Sequence, residues 1–129
     1  MRVFVFFILL HVSLFGGSLH FFHNYEKAIH IAQQKHKPLY IFISSQGCRW
    51  CYKFETTTLK NGEVQKLLQE DFVLVHLVRH QDSIPKRFQS VPVPRHYFVN
   101  DDGRLLYDAL GYRKVSTFKA FLGYALDQI

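Results

Sequence analysis

Five consecutive apolar residues, Leu39-Tyr40-Ile41-Phe42-Ile43, stand between Pro38 and a loop that ends in a pair of cysteines. A strand that is apolar on both alternating sides must be covered on both faces, as in the interior of a sheet packed between helices. The flanking sequence supplies the covering elements. Asn24 is a suitable N-cap for a helix running to about Lys37, with Tyr25, Ala28, Ile29 and Ala32 on one face and Pro38 as its stop. A second helical pattern opens at the cysteines and carries Cys51, Phe54 and Thr58, until Asn61-Gly62 breaks it. Val64, Leu67 and Leu68 then predict another helical turn or two, and residues 72–78 a second buried strand.

The remainder reads as a short helix at residues 85–88, the segment Val91-Pro92-Val93-Pro94, and a β-hairpin. Its strands are expected at residues 96–100 and 104–107, with Asp101-Asp102-Gly103 at the tip. Ser116 is the expected cap of a final helix whose stripe is Phe118, Phe121, Leu122, Ala125 and Ile129. The order αβα, β, short α, ββα implies a mixed sheet with helices on both faces. At 129 residues, without repeats or a low-complexity tract, the chain is expected to form one domain. Its net charge of +6 comes from Lys and Arg that are scattered in sequence, so a solvated basic surface is favoured and nucleic acid is not expected as a partner.

Met1-Arg2, the apolar stretches 3–10 and 12–15 around His11, and the small residues Gly16, Gly17 and Ser18 make a secretory signal pattern. The stretch is shorter than the roughly 20 apolar residues of a bilayer span. Residues 1–18 are therefore expected to be a signal peptide cleaved before Leu19, leaving residues 19–129 as an exported domain.

Cys48-Arg49-Trp50-Cys51 is the chain's one chemical feature, and it holds its only two cysteines. Residues three apart at a helix start bring their Cα atoms to roughly 5–6 Å, within disulfide range. Cys48 would meet the unpaired N–H groups and dipole of the helix, which stabilise a thiolate. Cys51, one turn in, should be the more buried. That assigns attack to Cys48 and resolution of the mixed disulfide to Cys51. An inert staple is disfavoured because so short a loop removes little chain entropy. A metal site would need His76, His80 or His96 to complete the ligand set, and none lies at ligand-like spacing. No metal or cofactor is expected.

These residues resemble the thioredoxin superfamily, in particular its small exported thioredoxin-like members. The carriers are the 39–43 strand, Gly47-Cys48-Arg49-Trp50-Cys51-Tyr52-Lys53, Val93-Pro94, the Asp102-Gly103 hairpin, Gly111-Tyr112 and the terminal helix. The resemblance implies an α/β fold, a three-layer α/β/α sandwich around a central mixed four-stranded sheet. It implies a cis-proline at Pro94 beside the dithiol, with the Val93 backbone as an edge for extended substrate. It also implies Trp50 as an exposed client contact, while Arg49, adjacent to Cys48, is expected from its charge to tune the thiolate. Two departures stand out: Gly47 replaces an aromatic residue, and Phe42 replaces a buried acid. Both weaken the likeness to cytosolic reductases. The function implied is a thiol–disulfide oxidoreductase acting on cysteine-containing exported proteins, in the periplasm or another exported location. It is expected to work as a monomer and to be recycled by a membrane redox partner. The alternative is a non-catalytic module holding a soft metal such as copper(I) on the two thiols.

Overall fold

The computed structural model describes residues 18–89 and 92–129. The expected signal segment lies outside the described residues apart from Ser18, and so does Val91. Among the described residues, no helix is long and apolar enough to cross a membrane.

The chain builds β1 (Phe21–Phe22), α1 (Tyr25–Lys35), β2 (Leu39–Ser44), α2 (Arg49–Thr56), α3 (Gly62–Asp71) and β3 (Val73–Val78). It continues with β4 (Arg95–Val99), β5 (Leu105–Leu110) and α4 (Val115–Leu126). Short 3-10 turns occupy Thr58–Lys60 and Lys86–Phe88. The sheet order is β1-β3-β2-β4-β5, with β3 parallel to β1 and β2, and β4 antiparallel to β2 and β5. The expected sandwich is present with five strands instead of four. The added strand is β1, which aligns Phe21 with Leu74 and Phe22 with Val75 at the sheet edge. Two residues carry no periodicity, so only pairing with β3 reveals this strand.

Every residue of β2 is buried, and the pleat divides them between two cores. Tyr40 and Phe42 face α2, α3 and α4, where they join Phe54, Leu68, Phe98, Phe118 and Leu122. Leu39, Ile41 and Ile43 face α1, joining Ala28, Ala32, Val75 and Tyr97. Phe88 extends this second core against Tyr25 and Tyr97, with ring centroids 5.3 and 4.9 Å away. Arg87 ties the same turn to the hairpin tip by donating to the Gly103 carbonyl at 2.5 Å.

Helix ends follow local chemistry, with adjustments. Asn24 caps α1 by accepting from the Lys27 N–H at 2.8 Å. The helix stops at Lys35 because His36 takes a left-handed conformation (φ 52°), and the Lys37 N–H turns back to the Ala32 carbonyl. Asn61, expected only as a breaker, accepts from the N–H groups of Glu63 and Val64 and starts α3. The last helix begins one residue before Ser116, and its N-cap is Lys114, which makes no side-chain cap bond. Tertiary burial of Phe118, Leu122 and Ala125 outweighs the capping preference there. Ile129, placed on the buried stripe by periodicity, lies past the end of α4 and is exposed.

Phe98 meets Tyr40 at 5.2 Å, Phe72 at 5.9 Å and Phe118 at 6.3 Å, and is fully buried. Phe98→Ala should cost about 3–5 kcal/mol through lost transfer energy and the cavity left behind. Urea denaturation read by circular dichroism tests this, and a loss below about 1 kcal/mol would contradict the packing described.

Candidate active site around the dithiol

Strand β2 ends at Ser44, and residues 45–47 turn the chain into α2. Gly47 makes the turn with φ 71°, in the left-handed region where a side chain would be strained. Cys48 then occupies the N-cap of α2 in an extended conformation (φ −80°, ψ 104°). Its Sγ accepts from the Cys51 N–H at 3.2 Å. The sulfur thus does the work of a capping oxygen, and a thiolate in its place would gain more from the same donor and from the helix dipole. No acidic residue lies in the first turn of α2 to oppose that charge.

Cys48 and Cys51 form a disulfide with their Cα atoms 5.3 Å apart. Cys51 is 2% exposed and packs in the core with Phe42 and Phe54, whereas Cys48 is partly exposed. One sulfur is open to attack or to be attacked, and the other is shielded. Phe42, in the position where thioredoxins carry a buried acid, is fully buried and packs on Phe54 with ring centroids 5.3 Å apart.

Beside the dithiol lies a shallow groove of about 400 Å³, lined by Trp50, Pro92, Val93, Pro94, Leu110, Gly111 and Tyr112. The Val93-Pro94 peptide is cis. The Gly111 N–H donates to the Pro94 carbonyl at 2.7 Å, and the Thr58 hydroxyl donates to the Arg113 carbonyl at 2.6 Å. The first bond holds the loop after β5 against the proline segment, and the second ties that loop to the turn following α2. Trp50 is 45% exposed and its ring lies 5.9 Å from that of Tyr112. Arg49 and Lys53 each lie over the Trp50 ring at 5.1 Å. The fold therefore brings Trp50, Val93 and Pro94 into one groove, with Cys48 and Val93 packed on the same core and Arg49 stacked on Trp50.

Histidines, to which sequence reading assigned no chemical role, complete the scaffold. His96 of β4 is fully buried, with Nε2 2.9 Å from the Gly111 carbonyl and Nδ1 2.7 Å from the Tyr40 hydroxyl. A carbonyl only accepts, so Nε2 carries the proton and Nδ1 accepts from Tyr40. The neutral ring thus pins the groove loop to β4 and β2 at once. Burial pushes its pKa down to about 4, against the backbone hydrogen bond to Gly111, which favours the charged form. His76 of β3 stacks on Phe42 at 4.7 Å, and its Nε2 lies 2.7 Å from the Ser44 hydroxyl. Burial, helped by His23, lowers its pKa to about 4 as well. The Glu55 carboxylate stands 3.9 Å from His76, and partial burial raises its pKa. The available sequence signal for His96 was a lone polar residue alternating with Tyr97 and Phe98 in a core strand. Gly111 and Tyr112 were legible only through the family resemblance, and Leu110 carried no signal.

The histidine shifts set a pH dependence. Above pH 6.5 both rings are neutral whether folded or unfolded. Between 6.5 and 4 the unfolded chain takes up protons that the folded state resists, so stability falls as pH falls through that window. For His96 alone the loss from pH 7 to pH 5 is about 2 kcal/mol. His96→Gln, which cannot titrate, should lose less stability over that interval than the parent. Urea midpoints at the two pH values measure this, and equal losses would refute the assignment.

Comparison with known proteins places this geometry. A thioredoxin-like family model matches residues 21–101, which span β1 to the start of the hairpin turn and include the dithiol. Anterior gradient protein 3 of Mus musculus is 25% identical over 96 residues, covering 74% of this chain and 58% of its own length. The chain thus spans little more than half of that relative. A thioredoxin from Thermus thermophilus superposes with a TM-score of 0.73 at 22% identity, covering 85% of this chain and 88% of the other. A structure described as DsbH oxidoreductase superposes with a TM-score of 0.70 at 18% identity, covering 86% of both chains. With its fold, its family match and a disulfide-forming C-x-x-C pair at the head of α2, the chain belongs to the thioredoxin-like family.

Proposed function

We propose that the protein is a thiol–disulfide oxidoreductase that exchanges disulfides with cysteine-containing exported proteins. The observation that carries this is the asymmetry of the pair: a partly exposed Cys48 capping α2, and a buried Cys51 directly behind it. In the reducing direction, the Cys48 thiolate attacks a client disulfide, forms a mixed disulfide and expels one client thiolate. The Cys51 thiolate then attacks the Cys48 sulfur, closes the Cys48–Cys51 bond and releases the second client thiolate. Two electrons pass to the client, and the oxidising direction is the reverse.

The groove supports the reading, because an extended client segment laid against Val93 and Pro94 would present its cysteine to Cys48. Trp50 offers apolar contact area there, and Arg49 adds positive charge at the thiolate end of α2. A stabilised thiolate makes the disulfide a stronger oxidant. With Phe42 in place of an acid, we assign a potential more oxidising than that of thioredoxin. Within this reading residues 1–18 direct export, to a periplasm or a comparable compartment. The domain acts there as a monomer, and a membrane redox partner resets the dithiol.

Single-thiol variants test the chemistry. Cys51→Ser should accumulate mixed disulfides with a disulfide-bonded client peptide, and Cys48→Ser should lose exchange by at least a hundredfold. Mass spectrometry of alkylated samples reads both. Adducts trapped on Cys51 would reverse the assignment, and no exchange by the parent would end the oxidoreductase reading.

A further inference from the structure

Resting on the oxidoreductase reading, the surface around the dithiol also indicates which client segments it favours. Tyr112 separates two depressions. On one side is the apolar groove, and on the other a cleft of about 660 Å³ lined by Thr57, Thr58, Asn61 and the lysines Lys60, Lys114 and Lys119. Tyr112 belongs to both, so they form one continuous surface. Lys53 sits 4.9 Å over the Tyr112 ring and 5.1 Å over Trp50, directly on the partition.

Charge on this surface is one-sided. Among the described residues, no Asp or Glu lines the groove or the cleft. Lys119 is neutralised by its ion pair with Glu63. Among the described residues, Arg49, Lys53, Lys60 and Lys114 have no carboxylate partner. Arg49, Lys53 and Lys60 come from α2 and the turn after it, and the fold adds the distant Lys114 to them around Trp50 and Tyr112. Cations left without counter-ions beside an apolar groove raise the local concentration of acidic segments and repel basic ones.

We propose that the protein prefers extended client segments in which Asp or Glu lies within a few residues of the reactive cysteine. The apolar groove seats the residues at the disulfide, and the lysine-lined cleft beyond Tyr112 receives the carboxylates. Trp50 and Tyr112 are the contact walls, and Lys53, Lys60 and Lys114 are the specificity-determining residues.

The test uses reduced protein and three heptapeptides, each with a central cysteine held as a mixed disulfide with the same small thiol. They differ only in two positions on each side of the cysteine, which are acidic, amide or basic. Stopped-flow rates at low salt should run acidic above amide above basic, with about a tenfold span from acidic to basic, shrinking at 0.5 M salt. In Lys60→Glu/Lys114→Glu the order of the acidic and basic peptides should reverse. Equal rates for all three peptides with the unaltered protein would overturn the preference while leaving the oxidoreductase reading intact. Failure to exchange with any of them would overturn both.

Discussion

Burial of β2 on both faces is the constraint from which the rest of the architecture follows. Six consecutive buried residues leave no side of the strand for water, so helices must cover both faces. Tyr40 and Phe42 draw α2, α3 and α4 to one face, while Leu39, Ile41 and Ile43 draw α1 to the other. Each large apolar side chain so enclosed contributes about 1.5–3 kcal/mol relative to exposure. The same strand ends next to the turn that delivers Cys48 to the N-cap of α2. The position of the Cys48 sulfur is therefore set by the core beneath it, and a shift of one residue in β2 would exchange its two buried faces.

Beneath the dithiol the core is aromatic and not acidic. With Phe42 under the site, no carboxylate lies in the strand below Cys51. The imidazoles of His76 and His96 both stack on Phe42 instead. Burial keeps these rings uncharged, and each is satisfied by a hydrogen bond. His96 adds a mechanical role, since its link to the Gly111 carbonyl connects the core directly to the wall of the groove. A buried polar group of this kind specifies one loop position, because moving the loop would leave donor and acceptor unpaired.

Aromatic rings do much of the organising at this end of the molecule. Phe54 packs edge-on against His96 and Phe118, and Trp50 lies near Tyr112 with cations on its face. The first group is enclosed and fixes α2 to the sheet. The second is open to solvent and presents apolar area with positive charge beside the partly exposed cysteine.

Local patterns in the chain were enough to determine much of this. The doubly apolar 39–43 run, the helical spacing of Cys51 and Phe54, the Asn24 cap and the Asp101-Asp102-Gly103 turn are near-neighbour features, and their physics acts over a few residues. The same holds for the placement of Cys48 and Cys51 at a strand-to-helix junction. Only the tertiary structure decided what depends on distant partners. Strand β1 exists because β3 offers it an edge, and α4 starts at Val115 because burial there outweighs the Ser116 cap. His96 is a buried link because Tyr40 and Gly111, separated from it by 56 and 15 residues, reach its two nitrogens. Arg49, Lys53, Lys60 and Lys114 look like scattered surface charge until folding sets them around Trp50 and Tyr112. Pairing across a sheet and convergence of loops are long-range events, and no local periodicity records them.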